Sequence, residues 1–134
     1  MNQKLYSYML RAMPLIFFGL CLLTTVMTLM PAGNIPSAFT FWDKAQHTLS
    51  FVLLTLTGSL AYPKKTSFIY LGLFLYGAII EIMQNTLTTT RTGDVLDWMA
   101  DAIGIVIGLC LYLYLYFILK RFINSGDFTN DPRI

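Results

Sequence analysis

Asp43 and His47 stand four residues apart, Glu81 and Gln84 three apart, and Asp94, Asp97 and Asp101 three and then four apart, with Lys44 and Arg91 nearby. Carboxylates, an imidazole and fixed cations are the groups that move protons, hold metals and grip anions. Asp43, Lys44, His47, Glu81, Gln84, Arg91, Asp94, Asp97 and Asp101 therefore form the candidate ligand-binding set. Within it His47, Glu81 and Asp97 are the candidate acid and base groups, and His47, Glu81, Asp97 and Asp101 are the candidate metal ligands. Clustered carboxylates repel one another unless a proton or cation compensates, so a divalent ion such as Mg²⁺, Ca²⁺ or Zn²⁺ is the one cofactor this set suggests.

The elements that position these residues are membrane spans. Of 134 residues, 56% are hydrophobic and 12% charged, against roughly 25% charged in an ordinary soluble domain. Ala12 to Trp42, Ala45 to Pro63, Thr66 to Ile80 and Ala102 to Leu119 carry no charge, and about 20 mostly apolar residues cross a bilayer core. The expected helices run near Leu10 to Met30, Phe41 to Tyr62, Thr66 to Thr86 and Val95 to Arg121. A membrane barrel is excluded because alternating ten-residue strands are missing. The alternation from Leu111 to Tyr116 fits a helix with interfacial tyrosines better than a strand. The first helix, after Lys4 and Arg11, could be mistaken for a secretory signal. It is longer than a usual signal core, and Met30-Pro31-Ala32-Gly33 is a poor cleavage site, so a retained span is expected.

The expected fold class is thus an all-α membrane protein, a four-helix transmembrane bundle. Residues 1–121 form one domain, and residues 122–134 form a loosely ordered cytoplasmic tail. Short connections leave no room for a soluble domain; the longest is Pro31 to Thr40. One side carries seven basic and two acidic residues, the other two basic and five acidic, which together give the net +2. By the positive-inside rule the basic side, with both termini, is cytoplasmic and the acidic side faces outward. So small and dispersed a basic surplus excludes a nucleic-acid groove. Cys21 and Cys110 lie in apolar runs without a partner at metal-ligand spacing and are read as small packing residues.

Helical spacing gathers the polar residues into stripes. Asp43, His47, Ser50, Leu54 and Gly58 share one face; Gly77, Glu81 and Gln84 another; Asp94, Asp97, Asp101, Gly104 and Gly108 a third. Glycines spaced four apart let helices approach closely in lipid, so the last face should meet other helices and carry its acidic stripe into the bundle. Ionisable residues within spans usually face an interior or wet cavity, as expected of Glu81 and Asp101. Together the stripes predict one polar pocket opening outward.

Asp43-Lys44-x-x-His47 followed by Phe51, Glu81-x-x-Gln84, and Arg91-x-x-Asp94-x-x-Asp97 leading to Gly104 and Gly108 resemble, in order and spacing, the VanZ-like family of bacterial membrane proteins. The likeness runs from about Trp42 to Gly108. Asp101 stands where that family's pattern leads one to expect Asn, which here adds a negative charge. The resemblance implies a multi-pass protein of the bacterial cytoplasmic membrane, associated with resistance to lipoglycopeptide antibiotics of the teicoplanin type. It implies no settled biochemical mechanism.

Each residue also has a plainer role open to it. Asp43 with Thr40, and Asp94 with Asp97, could cap helix starts. His47 could be a neutral interfacial histidine bonded to Asp43, and Lys44 and Arg91 could only offset neighbouring acids, though Arg91 could also clamp a phosphate or carboxylate bidentately. Gln84 could bond an adjacent helix, Ser50 its own backbone, and Trp42 and Trp98 could be interfacial anchors. Three functions compete. The first is a binding module for a membrane lipid head group, a lipid-linked cell-wall precursor or a lipoglycopeptide. The second is an intramembrane hydrolase or transferase using Glu81, Asp97 and His47, with or without a metal. A transporter ranks last, because the polar groups crowd toward one interface and no repeat is visible.

The charge asymmetry has a direct check. Single cysteines at Lys64 and Thr90 should label from opposite sides of the membrane, and labelling of both from the cytoplasm would end this topology.

Overall fold

The computed structural model describes residues 3–30, 40–89 and 92–125, with side chains described within 11–30, 44–89 and 92–121. Arg91, the side chains of Thr40, Trp42 and Asp43, and the chain from residue 126 onward lie outside the described residues, as does most of the first connection. The described chain forms four helices: α1 Gln3–Leu29, α2 Thr40–Ala61, α3 Thr66–Leu87 and α4 Val95–Ser125.

The expected bounds need correction at two ends. α1 begins at Gln3 rather than near Leu10, because a helical ladder need not stop where hydrocarbon does and residues 3–9 contain neither Gly nor Pro. Its Pro14 falls inside the helix and leaves one carbonyl without its ladder partner. α4 runs to Ser125, so residues 122–125 belong to the helix rather than the tail. The Tyr112, Tyr114 and Tyr116 alternation lies within α4 and is helical.

Three stretches, Arg11–Leu29, Thr66–Leu87 and Val95–Arg121, are long and apolar enough to cross a membrane. α2 has 22 residues, about 33 Å at 1.5 Å per residue, but is more polar. Its place in the bundle explains why. α2 contacts α1, α3 and α4, most extensively α4, whereas α1 and α4 do not meet among the described residues. Polar side chains on such a central helix find partners on its neighbours. Thr48 Oγ1 donates to the Ala100 carbonyl at 3.1 Å, and Ser59 Oγ to the Tyr70 hydroxyl at 3.1 Å. The outer helices instead expose apolar side chains such as Leu15, Leu22, Phe68, Ile82 and Val106.

The pairings give the directions. Lys44, His47, Thr48 and Thr55 of α2 meet Asp97, Asp101, Gly104 and Gly108 of α4 in the same order, so these two helices are parallel. Phe51 with Tyr76 and Ser59 with Tyr70 run in opposite order, so α3 is antiparallel to α2. α1 meets α3 in parallel order: Tyr76 donates to the Cys21 carbonyl at 2.6 Å and Gln84 to the Thr28 carbonyl at 3.0 Å. Alternation of direction places the start of α1 and the end of α4 at one end of the bundle. The core beneath the polar end is Phe17, Phe51, Leu54, Leu73 and Ile105.

Glycines set the helix separations. A methyl at Gly104 would lie 2.5 Å from the Thr48 carbonyl oxygen and 2.8 Å from Phe51 Cβ; one at Gly108 would lie 2.6 Å from Thr55 Cβ. The Gly104-x-x-x-Gly108 face is thus a helix contact, as its spacing predicts. Cys21 is partly buried beside this core, but Cys110 is exposed on α4 among the described residues, contrary to its reading as a packing residue.

Gly104→Val should lower stability by about 1–3 kcal/mol, the usual range for overpacking. Gly19→Ala and Gly72→Ala, which meet nothing within 4 Å, should leave it unchanged or slightly raised. Equilibrium unfolding in mixed micelles compares the three.

Candidate functional site

The polar ends of α2, α3 and the start of α4 come together, and the register of α2 on α4 decides which groups meet. Asp97 and Asp101 lie one turn apart on α4, as do Lys44 and His47, nearly, on α2. Parallel packing therefore makes two rungs. In the upper one Lys44 Nζ donates to Asp97 Oδ1 at 2.6 Å and to Asp94 Oδ2 at 3.2 Å. In the lower one His47 Nδ1 lies 3.0 Å from Asp101 Oδ1, with the two side chains 3% and 1% exposed.

Glu81 completes the lower rung from α3. One ligand-type atom from each of His47, Glu81 and Asp101 lies within 4.8 Å of the others, and all three residues are buried. Gly77, one turn along α3, makes room for the carboxylate: a methyl there would lie 2.7 Å from Asp101 Oδ2. Asp101, not Asp97, is therefore the carboxylate against the imidazole, although the sequence favours Asp97 for acid or base work. Asp97 is buried too, but its Oδ1 is taken by Lys44.

Several of these carboxylates also do structural work. Asp94 precedes α4, accepts the Leu96 N–H at 2.9 Å and caps the helix, as one of its two readings expects. That backbone N–H, and after it Lys44, holds the Asp94 carboxyl below the ordinary aspartate range. Glu81 Oε2 accepts the Asp94 N–H at 2.8 Å. A capping box usually closes with an acid from the same helix; here the acid comes from α3, leaving Asp97 to Lys44. Gln84 sends its amide nitrogen to the Thr28 carbonyl on α1 at 3.0 Å, so that donor joins helices. Trp98 is more than an interfacial anchor: its indole N–H donates to the Phe74 carbonyl at 3.0 Å.

Two positioning residues escape a reading by chemical type. Asn85 Oδ1 accepts the Gly93 N–H at 2.8 Å, and Gly93 lies so close to the Glu81 carbonyl that a side chain there would collide with it. This contact clamps the segment before α4 onto α3 and delivers Asp94 to Glu81. Gly beside Asp is a turn signal in the sequence, but it does not reveal what the turn touches.

After this pairing, His47 Nε2, Glu81 Oε1 and Asp101 Oδ2 remain buried without a partner among the described residues. The described site holds four carboxylates, Glu81, Asp94, Asp97 and Asp101, and one lysine, Lys44, which pairs with Asp94 and Asp97. The site is therefore acidic. Its composition suits a cationic or hydrogen-bond-donating ligand, a proton relay, or a metal held by His47, Glu81 and Asp101. Asp43 and Arg91 fall outside the described side chains, so of the two site cations expected from the sequence only Lys44 is described, and it is tied to two acids.

The chain matches the VanZ/LLP1 family over residues 5–119, nearly its whole length. It belongs to that family. No curated protein and no solved structure matches it. Family membership and three apolar helices make this a VanZ-type membrane protein.

The buried rung should behave as a coupled pair. Removing one partner strands a polar group in a low-dielectric interior, so the His47→Phe/Asp101→Leu double variant should lose less stability than its two single variants combined. The expected coupling is about 0.5–3 kcal/mol, read from unfolding of all four proteins in one detergent. Additive losses would mean that His47 and Asp101 do not interact.

Proposed function

We propose that this VanZ-type protein crosses the bacterial cytoplasmic membrane four times with both termini inside. In this reading its outward polar site binds the head group of an envelope lipid or of a lipid-linked cell-wall precursor, or a glycopeptide-related ligand. Occupancy then reduces susceptibility to lipoglycopeptides of the teicoplanin type, the association that family membership suggests. The observation carrying this reading is the buried trio of His47, Glu81 and Asp101, each with one atom left without a partner. Unmet polar atoms in a span are costly and usually mark function.

The electrostatics refine the ligand. Lys44 is already bonded to Asp94 and Asp97, so the described residues attract ammonium, hydroxyl and amide groups more readily than a bare phosphate. Recognition of the phosphate part of a head group falls to Arg91, by the bidentate geometry open to a guanidinium.

A second reading, an intramembrane hydrolase or transferase, draws on the 3.0 Å His47–Asp101 contact. A carboxylate on one imidazole nitrogen fixes the ring and its tautomer, leaving the other nitrogen to exchange a proton with a reacting group. Glu81 Oε1 would then be the second acid or base, with Asp97 in reserve behind Lys44. Turnover of head groups by purified protein in liposomes separates this enzyme from a binding module.

Charge in the site should matter more to function than to folding. Glu81→Gln, His47→Gln and Arg91→Gln should remain in the membrane at near wild-type abundance while teicoplanin susceptibility returns to that of cells lacking the protein. Lys65→Gln and Asp127→Asn should change neither. Stable variants with full resistance would reject both readings, and selective loss of the site variants from the membrane would make the cluster structural.

A further inference from the structure

We infer that His47, Glu81 and Asp101 form a binding site for one first-row divalent metal ion, Zn²⁺ in preference to Mg²⁺. Each residue comes from a different helix, α2, α3 and α4, and one nitrogen or oxygen from each lies within 4.8 Å of the other two. A tetrahedral ion about 2.0–2.1 Å from three such atoms sets them roughly 3.4 Å apart, so the three side chains would draw together around it. The 3.0 Å contact between His47 Nδ1 and Asp101 Oδ1 orients the two side chains and leaves His47 Nε2 and Asp101 Oδ2 without a partner among the described residues.

The unpartnered atoms make this more than an acidic cluster. His47 is 4% exposed, Asp101 1% and Glu81 8%, and His47 Nε2, Asp101 Oδ2 and Glu81 Oε1 have no hydrogen-bond partner among the described residues. A dication meets the needs of two neighbouring carboxylates and an imidazole at once, which a single hydrogen bond cannot do. The mixed nitrogen and oxygen set, with few ligands in a tight space, favours Zn²⁺ at low coordination number. Mg²⁺ keeps several waters in an octahedron, and the surroundings are close: a methyl at Gly77 would already lie 2.7 Å from Asp101 Oδ2.

Lys44 determines which carboxylates take part. Its ammonium holds Asp97 Oδ1 at 2.6 Å and Asp94 Oδ2 at 3.2 Å, so these two acids are balanced by a fixed cation and the trio is not. Asp97, a metal candidate on sequence grounds, is therefore outside the site. Glu81 Oε2 is likewise engaged by the Asp94 N–H, which fixes the carboxylate and leaves Oε1 as its ligand atom. With three protein ligands, the ion keeps a position for an exogenous oxygen donor. On the head-group reading above, that donor is a phosphate or pyrophosphate oxygen, for which the ion joins Arg91 in supplying the positive charge that Lys44 gives to its own neighbours.

The test uses the full-length, tag-free protein in detergent micelles, stripped with a chelator and titrated with Co²⁺ as a spectroscopic substitute for Zn²⁺, with no lipid precursor or antibiotic present. One ion per chain is expected, competed by Zn²⁺ and not by equimolar Mg²⁺, with pulsed EPR or X-ray absorption showing one imidazole nitrogen. His47 is the only histidine in the chain, so that signal assigns itself. Glu81→Gln and Asp101→Asn should weaken binding at least ~10-fold, and Asp97→Asn less than about 3-fold. No stoichiometric binding, binding without an imidazole nitrogen, or an Asp97→Asn loss equal to that of Asp101→Asn would overturn the site. If the trio variants fail to fold, the wild-type stoichiometry and imidazole signal decide alone. Metal binding together with wild-type resistance in the trio variants would reject the head-group reading and leave the metal site standing.

Discussion

The close approach of α2 and α4 governs the rest of the molecule. At Gly104 and Gly108 the two backbones come near enough that a β-carbon would strike Thr48, Phe51 or Thr55. Lipid gives little hydrophobic reason for helices to associate, so association relies on contact area and on hydrogen bonds such as Thr48 to the Ala100 carbonyl. Contact this tight fixes register as well as distance. Register in turn places Lys44 opposite Asp97 and His47 opposite Asp101. A shift by one residue would turn these side chains away from one another.

Unlike a soluble protein, the bundle carries apolar side chains outside as well as in its core, and its polar ones are largely inside. Its outer surface is largely apolar, whereas buried positions hold His47, Thr55, Ser59, Glu81, Gln84, Asp97 and Asp101. In hydrocarbon these groups would lack partners altogether, so they gather on faces where other helices can reach them. α2, enclosed on three sides, can afford the most of them. This is why it differs in composition from its neighbours, even from α3, which has the same 22 residues.

Glu81 links structure and chemistry at the polar end. One of its oxygens fastens the N-terminus of α4, and the other remains unpaired beside His47 and Asp101. The positive end of α4 favours the acids gathered there, and Lys44 offsets the outer pair. Nothing in the described structure offsets the inner pair to the same degree. The polar end thus has an outer layer whose charges are matched within the protein and an inner layer that calls for a proton, a cation or a ligand.

Much of this was legible from residue order. Charge-free runs marked the helices, the four-residue spacing of Gly104 and Gly108 marked a helix contact, and helical stripes predicted that the polar residues of three helices, among them His47, Glu81, Gln84, Asp97 and Asp101, would share a pocket. These features are local: they depend on 3.6 residues per turn and on the cost of placing polar groups in lipid. The helix ends at Gln3 and Ser125 were less legible, because a helix can continue past the hydrocarbon whose limits the composition reports. What only the tertiary structure decided was the choice of partners. Sequence spacing treats Asp97 and Asp101 alike as members of one stripe, and only the register of α2 on α4 gives the first to Lys44 and the second to His47. The clamp of Asn85 on Gly93 was hidden for the same reason. Spacing determines which residues share a face of one helix, but the distance and offset between helices determine which of them touch.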